Sequence, residues 1–418
     1  MITQLLPRPL PLTRIGGLVP NPADRRVPHP AGLLLLAASL AVAGCGTADG
    51  VSPTPTPSSR PAPESPPAEP PPESAVEPAN RPVQTSAAEG PEEPLPHDGP
   101  AASASACTLQ VHTGAGWVDR TPLPCPSDAG LGLLVAGDVG SAGERLTEST
   151  DGMIRLCAER PCDLVLLPGD LLYGPGSVAE QMWDFVWDRS LARVGKPGLG
   201  SLGNHEYRHE PDPHLKRKAL YAADGRAGFV LPSSSYAVRI RRGDTTLFAL
   251  AALDSDSVAN PGPDMPGLGT AALEVACGEG VPVVAVMHHP PSSQGLHHTH
   301  EAHVEQELAR VLRERKAAGC GLALVVAGHD HDLQAWPPDC EAAGNVGVVV
   351  SGVAARGFRD GGSTHLEPCP ATPATGRYHA ARPGGGFAHV AVSADGAVAV
   401  ELYETQAGKM EELSSIRW

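Results

Sequence analysis

The sequence LVLLPGDLLYGPG, residues 164–176, runs from an apolar segment to an acidic residue and then to a tyrosine. The apolar part has the length and composition of a buried strand. Gly169 and Asp170 follow it directly, and Tyr173 lies three residues further on. A Gly-Asp pair alone often only begins a turn. The stretch therefore indicates a functional site only if other strands of the chain end in a similar way.

Four more apolar runs end in polar residues that commonly bind metals. They are LGLLVAGDVG with Asp138, KPGLGSLGNHE with Asn204 and His205, VPVVAVMHHP with His288 and His289, and GLALVVAGHDH with His329 and His331. Helix-length segments separate the runs, so we predict an α/β fold with sheets covered on both faces. Ligands in such sheets bind beyond the carboxyl ends of the strands. We therefore expect these side chains to meet in one site.

The periodicity of other segments predicts the elements around these strands. VAEQMWDFVWDRSLARV (178–194) and HVEQELARVLRERKAAG (303–319) carry apolar residues at helical spacing. TLQVHTGAGWVDRT (108–121) is typical of a short hairpin with glycines at its turn. FAHVAVSADGAVAVELYE (387–404) predicts a second hairpin, with a type I′ turn at Asp395-Gly396.

The order of the motifs, GDVG, GDLLY, GNHE, a histidine after an apolar strand and GHDH, resembles that of the calcineurin-like metallophosphoesterases. The tyrosine in the second motif narrows the resemblance to purple acid phosphatases, and FVWDRSLARV, GHDHDLQ, VVVSGVAA and GGFAHVAVS resemble the small tartrate-resistant type. The likeness extends from about Gly130 to the C-terminus. It implies two packed mixed β-sheets flanked by helices in a four-layer sandwich.

The resemblance also implies a dinuclear metal centre. The ligands of a ferric ion would be Asp138, Tyr173 and His331. The ligands of a divalent ion, Fe, Zn or Mn, would be Asn204, His288 and His329. Asp170 would bridge the two ions.

Iron explains the tyrosine chemically. A free phenol has a pKa near 10 and is neutral at ordinary pH. A trivalent cation favours the phenolate, in the same way that a metal ion ionises a bound water. Phenolate is a hard anionic donor that suits Fe(III), and its charge transfer to iron would give the purple colour that names the family.

The expected reaction is hydrolysis of phosphate monoesters, with a metal-bound hydroxide as nucleophile. His205 would assist the leaving group, and His297 would be a second substrate-facing histidine. Leu296 stands where the family usually has a glutamate, so no acid–base pair is supported there. At the strand end before them, His288 is preferred over His289 as the ligand, and His289 would be a loop or pocket residue.

Two other functions stay open. A phosphodiesterase or nucleotidase would use the same centre, whereas a surface lipoprotein with a vestigial site would not catalyse a reaction. A protein Ser/Thr phosphatase is disfavoured, because GDLLYGPG replaces the GDxVDRG of that group. Asp254 is expected to be a turn residue, while Arg208, Arg356 and Arg359 flank the motif loops and would help to hold an anion.

The organisation of the 418-residue chain predicts an exported domain on a tether. Residues 1–45 resemble a lipoprotein signal whose lipobox ends at Cys45, because small residues and the cysteine coincide at the end of the apolar run. Residues 46–104 are proline-rich and predict a disordered linker. Residues 105–418 would be the catalytic domain. We expect a membrane-anchored lipoprotein, or an extracellular or periplasmic protein.

Net charge and cysteine content indicate which classes of partner and which cellular compartment to expect. The net charge of −16 argues against nucleic-acid binding. We expect a monomer that binds a small phosphorylated substrate and contacts a membrane only through a lipid anchor. Eight cysteines besides Cys45 predict disulfides. Sequence cannot fix the pairing, but chain order suggests Cys107–Cys125, Cys157–Cys162, Cys277–Cys320 and Cys340–Cys369.

Overall fold

The computed structural model describes residues 106–127, 130–208, 212–295, 297–338, 343–358 and 384–418. The predicted signal (1–45) and linker (46–104) lie outside the described residues, as do Arg359 and most of the 359–386 segment, which we expected to form a surface loop. The start predicted for the catalytic domain, residue 105, is one residue before the first described strand.

Within the described residues the chain forms fifteen strands and six α-helices. The strands are β1 (Ala106–His112), β2 (Trp117–Pro124), β3 (Leu131–Val135), β4 (Leu164–Pro168), β5 (Gly198–Ser201), β6 (Phe229–Val230), β7 (Tyr236–Arg242), β8 (Thr245–Ala252), β9 (Val283–Val286), β10 (Leu322–Ala327), β11 (Leu333–Trp336), β12 (Gly347–Ser351), β13 (Gly385–Val392), β14 (Val398–Gln406) and β15 (Lys409–Arg417). The helices are α1 (Glu144–Cys157), α2 (Ala179–Trp183), α3 (Pro213–Ala222), α4 (Asp256–Ala259), α5 (Thr270–Cys277) and α6 (His298–Ala317).

The strands form two mixed sheets. One has seven strands in the order β15-β14-β13-β3-β4-β5-β6, and the other has eight in the order β11-β12-β10-β9-β8-β7-β1-β2. Parallel pairs occupy the run from β3 to β6 in the first sheet. In the second sheet, β8, β9, β10 and β12 are parallel. The remaining pairs are antiparallel, so the predicted α/β class with two mixed sheets is confirmed.

The apolar strands are buried on both faces because each sheet lies between the other sheet and helices. In β9, Val284 and Val286 face the core shared by the two sheets, while Val283 and Ala285 pack beneath helices α5 and α6. Helix α1 covers β13 and β14 of the seven-stranded sheet. This arrangement explains why the strands lack the polar alternation of a half-exposed sheet.

One of the two predicted helices is regular and the other is not. Helix α6 contains the predicted segment down to Ala317. Residues 176–194 instead form a 3₁₀ turn, helix α2, a π turn over Asp184–Asp188 and another 3₁₀ turn. Within this segment Trp183 and Trp187 stack with rings 3° from parallel, and both pack on Phe229.

Both predicted hairpins are present, as β1–β2 and β13–β14. The type I′ turn predicted for the second is wrong, because Gly396 has a φ of +86° whereas Asp395 is not in the left-handed region. The connection runs from Ser393 to Ala397, closed by a backbone hydrogen bond from Ser393 to Ala397. This longer loop needs only one residue with positive φ, whereas a two-residue type I′ turn needs two.

Three of the four suggested disulfides are formed: Cys107–Cys125, Cys157–Cys162 and Cys277–Cys320. Cys340 and Cys369 lie outside the described residues. Disulfides of this number are typical of domains that leave the reducing cytoplasm. No helix in the described part of the chain has the length and apolar content to span a membrane.

Candidate metal centre

The five loops predicted to carry the site meet at one end of the two sheets. Strands β3, β4 and β5 are parallel neighbours in one sheet, and β9 and β10 are parallel neighbours in the other. Each is followed by a loop with one or more predicted site residues. Because the carboxyl ends of parallel neighbours lie at the same edge, the strand order alone brings these loops together.

The first group of side chains surrounds the Tyr173 hydroxyl. Its Oη lies 2.7 Å from Oδ1 of Asp138 and 2.8 Å from Oδ2 of Asp170. Nε2 of His331 is 3.5 Å from the same hydroxyl and 3.2 Å from Oδ1 of Asp138. The tyrosine, two carboxylates and an imidazole predicted for the ferric ion therefore converge.

The second group surrounds Nε2 of His288. This nitrogen lies 2.9 Å from Oδ1 of Asn204, 3.3 Å from Oδ1 of Asp170 and 3.2 Å from Nδ1 of His329. Nδ1 of His288 is 3.0 Å from the carbonyl oxygen of Pro168, which only accepts, so Nδ1 carries the proton. Nε2 consequently presents a lone pair towards the oxygens of Asn204 and Asp170, which are also acceptors, an arrangement that a cation satisfies.

Asp170 belongs to both groups. Its Oδ2 faces the first group, around Tyr173, which we call the tyrosine group. Its Oδ1 faces the second group, around His288, which we call the histidine group. The backbone N–H of His205 also donates to Oδ1, at 3.0 Å. Asp170 is therefore the residue that would hold a cation in each group.

Three of these residues have a strained backbone. Asp138, Asp170 and His329 have φ values of +57°, +50° and +69°, in the left-handed region that L-residues seldom occupy. Such conformations persist where the surrounding structure enforces them, and they cluster at functional sites.

A glycine precedes the ligand in four of the five loops, because the backbones and ligand side chains approach closely. A Cβ atom at Gly203 would overlap Asp170 and come within 2.9 Å of the His288 ring. A Cβ atom at Gly328 would lie 2.6 Å from Oδ2 of Asp138. The Gly-Asn and Gly-His pairs of the motifs thus allow the ligands of neighbouring strands to come together.

Burial and neighbouring charges set the protonation of the tyrosine group. Burial would raise the pKa of Asp138, but hydrogen bonding to His331 and the charge of that imidazole bring it below its ordinary value. Burial raises the pKa of Tyr173, and the charges of Asp138 and Asp170 raise it further. Without a cation the phenol is therefore neutral, and a bound cation has to displace its proton.

His205 and His297, the two histidines predicted to face substrate, lie at the border of the centre. Nε2 of His205 is 3.9 Å from Oδ2 of Asp170, and its ring is 4.3 Å from that of Tyr173. The ring of His297 is 4.4 Å from that of His329. Burial lowers the pKa of His297 to about 4, and the charge of His329 contributes.

The alternatives at the strand ends are distinguished by geometry. His289 points away from Asp170 and Asn204; its Nδ1 lies 3.0 Å from Oγ of Ser255. Asp254 is buried and accepts a hydrogen bond from Tyr207, so it lies outside both groups, as expected of a turn residue.

Of the three arginines expected to flank the motif loops, the two that the structure describes take different positions. Arg208 pairs with Asp256 at 2.7 Å. The guanidinium of Arg356 lies 4.4 Å from the centre of the Tyr173 ring.

Sequence reasoning missed three residues that support the loops. Glu206 is buried and accepts hydrogen bonds from the N–H groups of Leu172 and Gly203. Lys216 is buried on α3 and donates to the carbonyls of Leu172 and His205. Glu301 lies 2.8 Å from Nε2 of His329. Glu206 was visible within GNHE, whereas the other two are on helices whose approach to the site has no local sequence signal.

The donor sets fit two cations of different hardness. Asp138, Asp170 and His288 bring ligand atoms within 4.8 Å of one another. The tyrosine group is rich in anionic or ionisable oxygen, which suits a trivalent ion. The histidine group combines imidazole nitrogens with amide and carboxylate oxygens, which suit a divalent transition metal.

Sequence comparison agrees with this architecture. The family profile described as calcineurin-like phosphoesterase matches residues 132–333, which contain all of these donors. These residues resemble the calcineurin-like phosphoesterases, and the two mixed sheets have the metallophosphoesterase fold. The comparison with curated protein sequences finds no match.

Solved structures similar to this chain include GAP50, the anchor in the inner membrane complex of Plasmodium. It is 13% identical, with a TM-score of 0.49, and the match covers 68% of this chain and 88% of that one. The purple acid phosphatase PPD1 from yellow lupin seeds is 14% identical, with a TM-score of 0.45 and coverage of 72% and 57%. A 5'-nucleotidase precursor from Thermus thermophilus is 15% identical, with a TM-score of 0.34 and coverage of 68% and 54%.

Replacing Gly203 by alanine tests whether close approach of the loops creates the site. We expect Gly203→Ala to weaken binding of a probe cation such as Zn²⁺ by at least about 10-fold, because the new methyl group displaces Asp170 and His288. Calorimetric titration of the metal-free protein measures the change. Gly143→Ala is the matched control, since a Cβ there meets nothing within 4 Å. Equal affinities in the two variants would contradict the account.

Proposed function

We propose that the domain is a purple acid phosphatase-like enzyme that hydrolyses phosphate monoesters with Fe(III) and a divalent ion, Fe, Zn or Mn. The observation that carries this proposal is the position of the Tyr173 hydroxyl, 2.7 Å and 2.8 Å from the carboxylates of Asp138 and Asp170. A neutral phenol can donate its single proton to only one of these two carboxylates, whereas a cation bound here would be held by the phenolate and both carboxylates together.

The residues of the domain have separable tasks in this reaction. Asp138, Tyr173 and His331 would hold the ferric ion, and Asn204, His288 and His329 the divalent ion, with Asp170 shared. When bound, the two ions supply Lewis acidity and lower the pKa of water, which provides a nucleophile. The side chains fix the position of both charges before substrate arrives, and such preorganisation is the main source of transition-state stabilisation.

Two positively charged side chains border this centre. Arg356 stacks on the ring of Tyr173 and brings a positive charge beside the phenol that iron would ionise. Arg208 is about one-third exposed and is paired with Asp256. The negative surface of the chain would repel a phosphate dianion, so local positive charge at the centre has to supply the attraction.

His205 is the residue placed to assist the leaving group. Its ring contacts that of Tyr173 and its Nε2 faces Asp170, at the border of both donor sets. Burial lowers the pKa of His205 below its ordinary 6.5, which outweighs the opposing effect of Asp170. The protonated form that gives a proton to an alkoxide is therefore populated in acid and is lost as pH rises.

Replacing Tyr173 by phenylalanine tests the iron assignment. We expect protein reconstituted with iron and zinc to show a broad visible charge-transfer band that Tyr173→Phe removes. Tyr207→Phe is the matched control and should keep the band, because its hydroxyl contacts Asp254 outside the centre. Metal analysis, with rates on p-nitrophenyl phosphate and its bis ester, completes the experiment. A preference for the bis ester would support a phosphodiesterase instead, and absence of both metal and hydrolysis would support a binding lipoprotein.

Replacing His205 by asparagine tests its role as a proton donor. We expect kcat for an alkyl phosphate to fall by about 10²–10⁴-fold, because an alkoxide needs the proton. The fall should be much smaller for p-nitrophenyl phosphate, whose leaving group is a stable anion. The wild-type rate on the alkyl ester should decrease as pH rises through the lowered pKa of His205, and the variant should lack that limb. Equal losses on both substrates would show that His205 acts in another way.

A further inference from the structure

The histidine group contains two imidazoles, His288 and His329. In each ring a different hydrogen-bond partner determines which nitrogen carries the proton. For His288 the partner of Nδ1 is the carbonyl oxygen of Pro168, which leaves Nε2 for a cation. For His329 the ring is reversed: Nδ1 faces His288 at 3.2 Å, and Nε2 faces away from the donor set. A proton on Nε2 of His329 is therefore needed to leave Nδ1 as the metal-binding atom.

Glu301 is the acceptor that meets this nitrogen. It lies in the first turn of α6, and its Oε2 is 2.8 Å from Nε2 of His329. His329 is buried, with 6% of its surface exposed, whereas the Glu301 side chain is 27% exposed. A carboxylate that accepts the outer N–H of a ligating imidazole fixes both its tautomer and its orientation.

The surroundings of the His329 ring make Glu301 its anionic partner. The φ of +69° at His329 holds the residue in a strained turn between β10 and β11. The ring otherwise contacts other imidazoles, with ring centres 4.4 Å away for His289 and His297 and 4.9 Å away for His288. Among these neighbours only Glu301 offers a negative charge to the outer nitrogen.

We propose that Glu301 is a positioning residue that accepts the Nε2 proton of His329 and thereby directs Nδ1 towards the divalent cation. This inference rests on the proposed function, because it assigns a role within the same dinuclear centre. Glu301 then does for His329 what the carbonyl of Pro168 does for His288. It also gives the site a carboxylate from α6, five residues beyond the position where Leu296 replaces the glutamate that the family resemblance would supply.

The same side chains raise a competing interpretation, a separate third cation site. His289, Glu301 and His329 bring ligand atoms within 4.8 Å of one another. Nε2 of His289 is 3.9 Å from Glu301 and lacks a hydrogen-bond partner among the described residues. However, a cation there would require Nε2 of His329 to lose its proton while Nδ1 binds another cation. The 2.8 Å distance from Glu301 to Nε2 instead fits a shared proton.

Removal of the carboxylate tests the proposal in two ways. Burial would lower the pKa of His329, but hydrogen bonding to Glu301 and the charge of that carboxylate raise it to about 9. In the metal-free protein, ¹⁵N spectra of the histidine rings recorded above that pH should show His329 protonated at Nε2 in the wild type and as a mixture of tautomers in Glu301→Ala. In Zn²⁺ titrations, the wild type should bind two ions, and Glu301→Ala should weaken one of them by about 10–100-fold. Glu301→Gln, which keeps the size but not the charge, should fall between the two.

Controls separate positioning from a general effect on folding. Glu307→Gln changes an exposed residue on the same helix that pairs with Arg310, and it should leave both zinc affinities unchanged. With iron in the tyrosine group, Glu301→Ala should keep the visible band, because Tyr173 is not altered. An overall loss of structure would instead reduce both affinities and the melting temperature together.

The outcomes distinguish this inference from the proposed function. Unchanged tautomers and zinc affinities in Glu301→Ala would overturn the role of Glu301 while leaving the dinuclear centre intact. A third zinc ion in the wild type, lost in this variant alone, would also overturn it in favour of a separate site. A wild type that binds fewer than two ions would contradict the proposed function, and the metal-free spectra would still decide the tautomer of His329.

Discussion

The Asp170 carboxylate is the constraint around which the site is arranged. Its two oxygens face two different donor sets, one from the tyrosine group and one from the histidine group. Both groups draw residues from both sheets, so the sheets have to meet at a fixed distance and angle. Hydrogen bonds at the site contribute to this, since His329 donates its backbone N–H to Asp138, and Gly137 donates to the carbonyl of Ser351.

The rest of the fold provides the stability that offsets the unfavourable free energy of this arrangement. Three strained residues and a set of buried acceptors are unfavourable in isolation. They persist because the strands before them lie in an extensive apolar core and because buried groups hold the loops. Burial raises the pKa of Glu206 to about 8, with the charge of Asp170 adding to the effect, yet its carboxylate still receives two backbone hydrogen bonds. Glu206 thus joins the loops that follow β4 and β5.

Features that depend on neighbouring residues in the sequence could be predicted, whereas contacts between distant parts of the chain could not. The strands and the residues that follow them were predictable, because buried parallel strands have a local signature and their carboxyl ends must coincide. The pairing of Cys277 with Cys320 was suggested only by chain order, and the structure confirms it. The prediction of a type I′ turn at Asp395 was wrong, because the length of the loop, rather than its residue types, determined the conformation. Glu301 was not found, because its contact depends on how α6 approaches the end of β10, which no local pattern encodes.

The most direct measurement of the central claim is anomalous diffraction at the iron and zinc absorption edges from crystals reconstituted with both metals. The account predicts two peaks about 3.5–4 Å apart on either side of Asp170. The iron peak should lie beside Tyr173 and the zinc peak beside His288. A single peak, or metal positions away from Asp170 with Tyr173 uncoordinated, would contradict it.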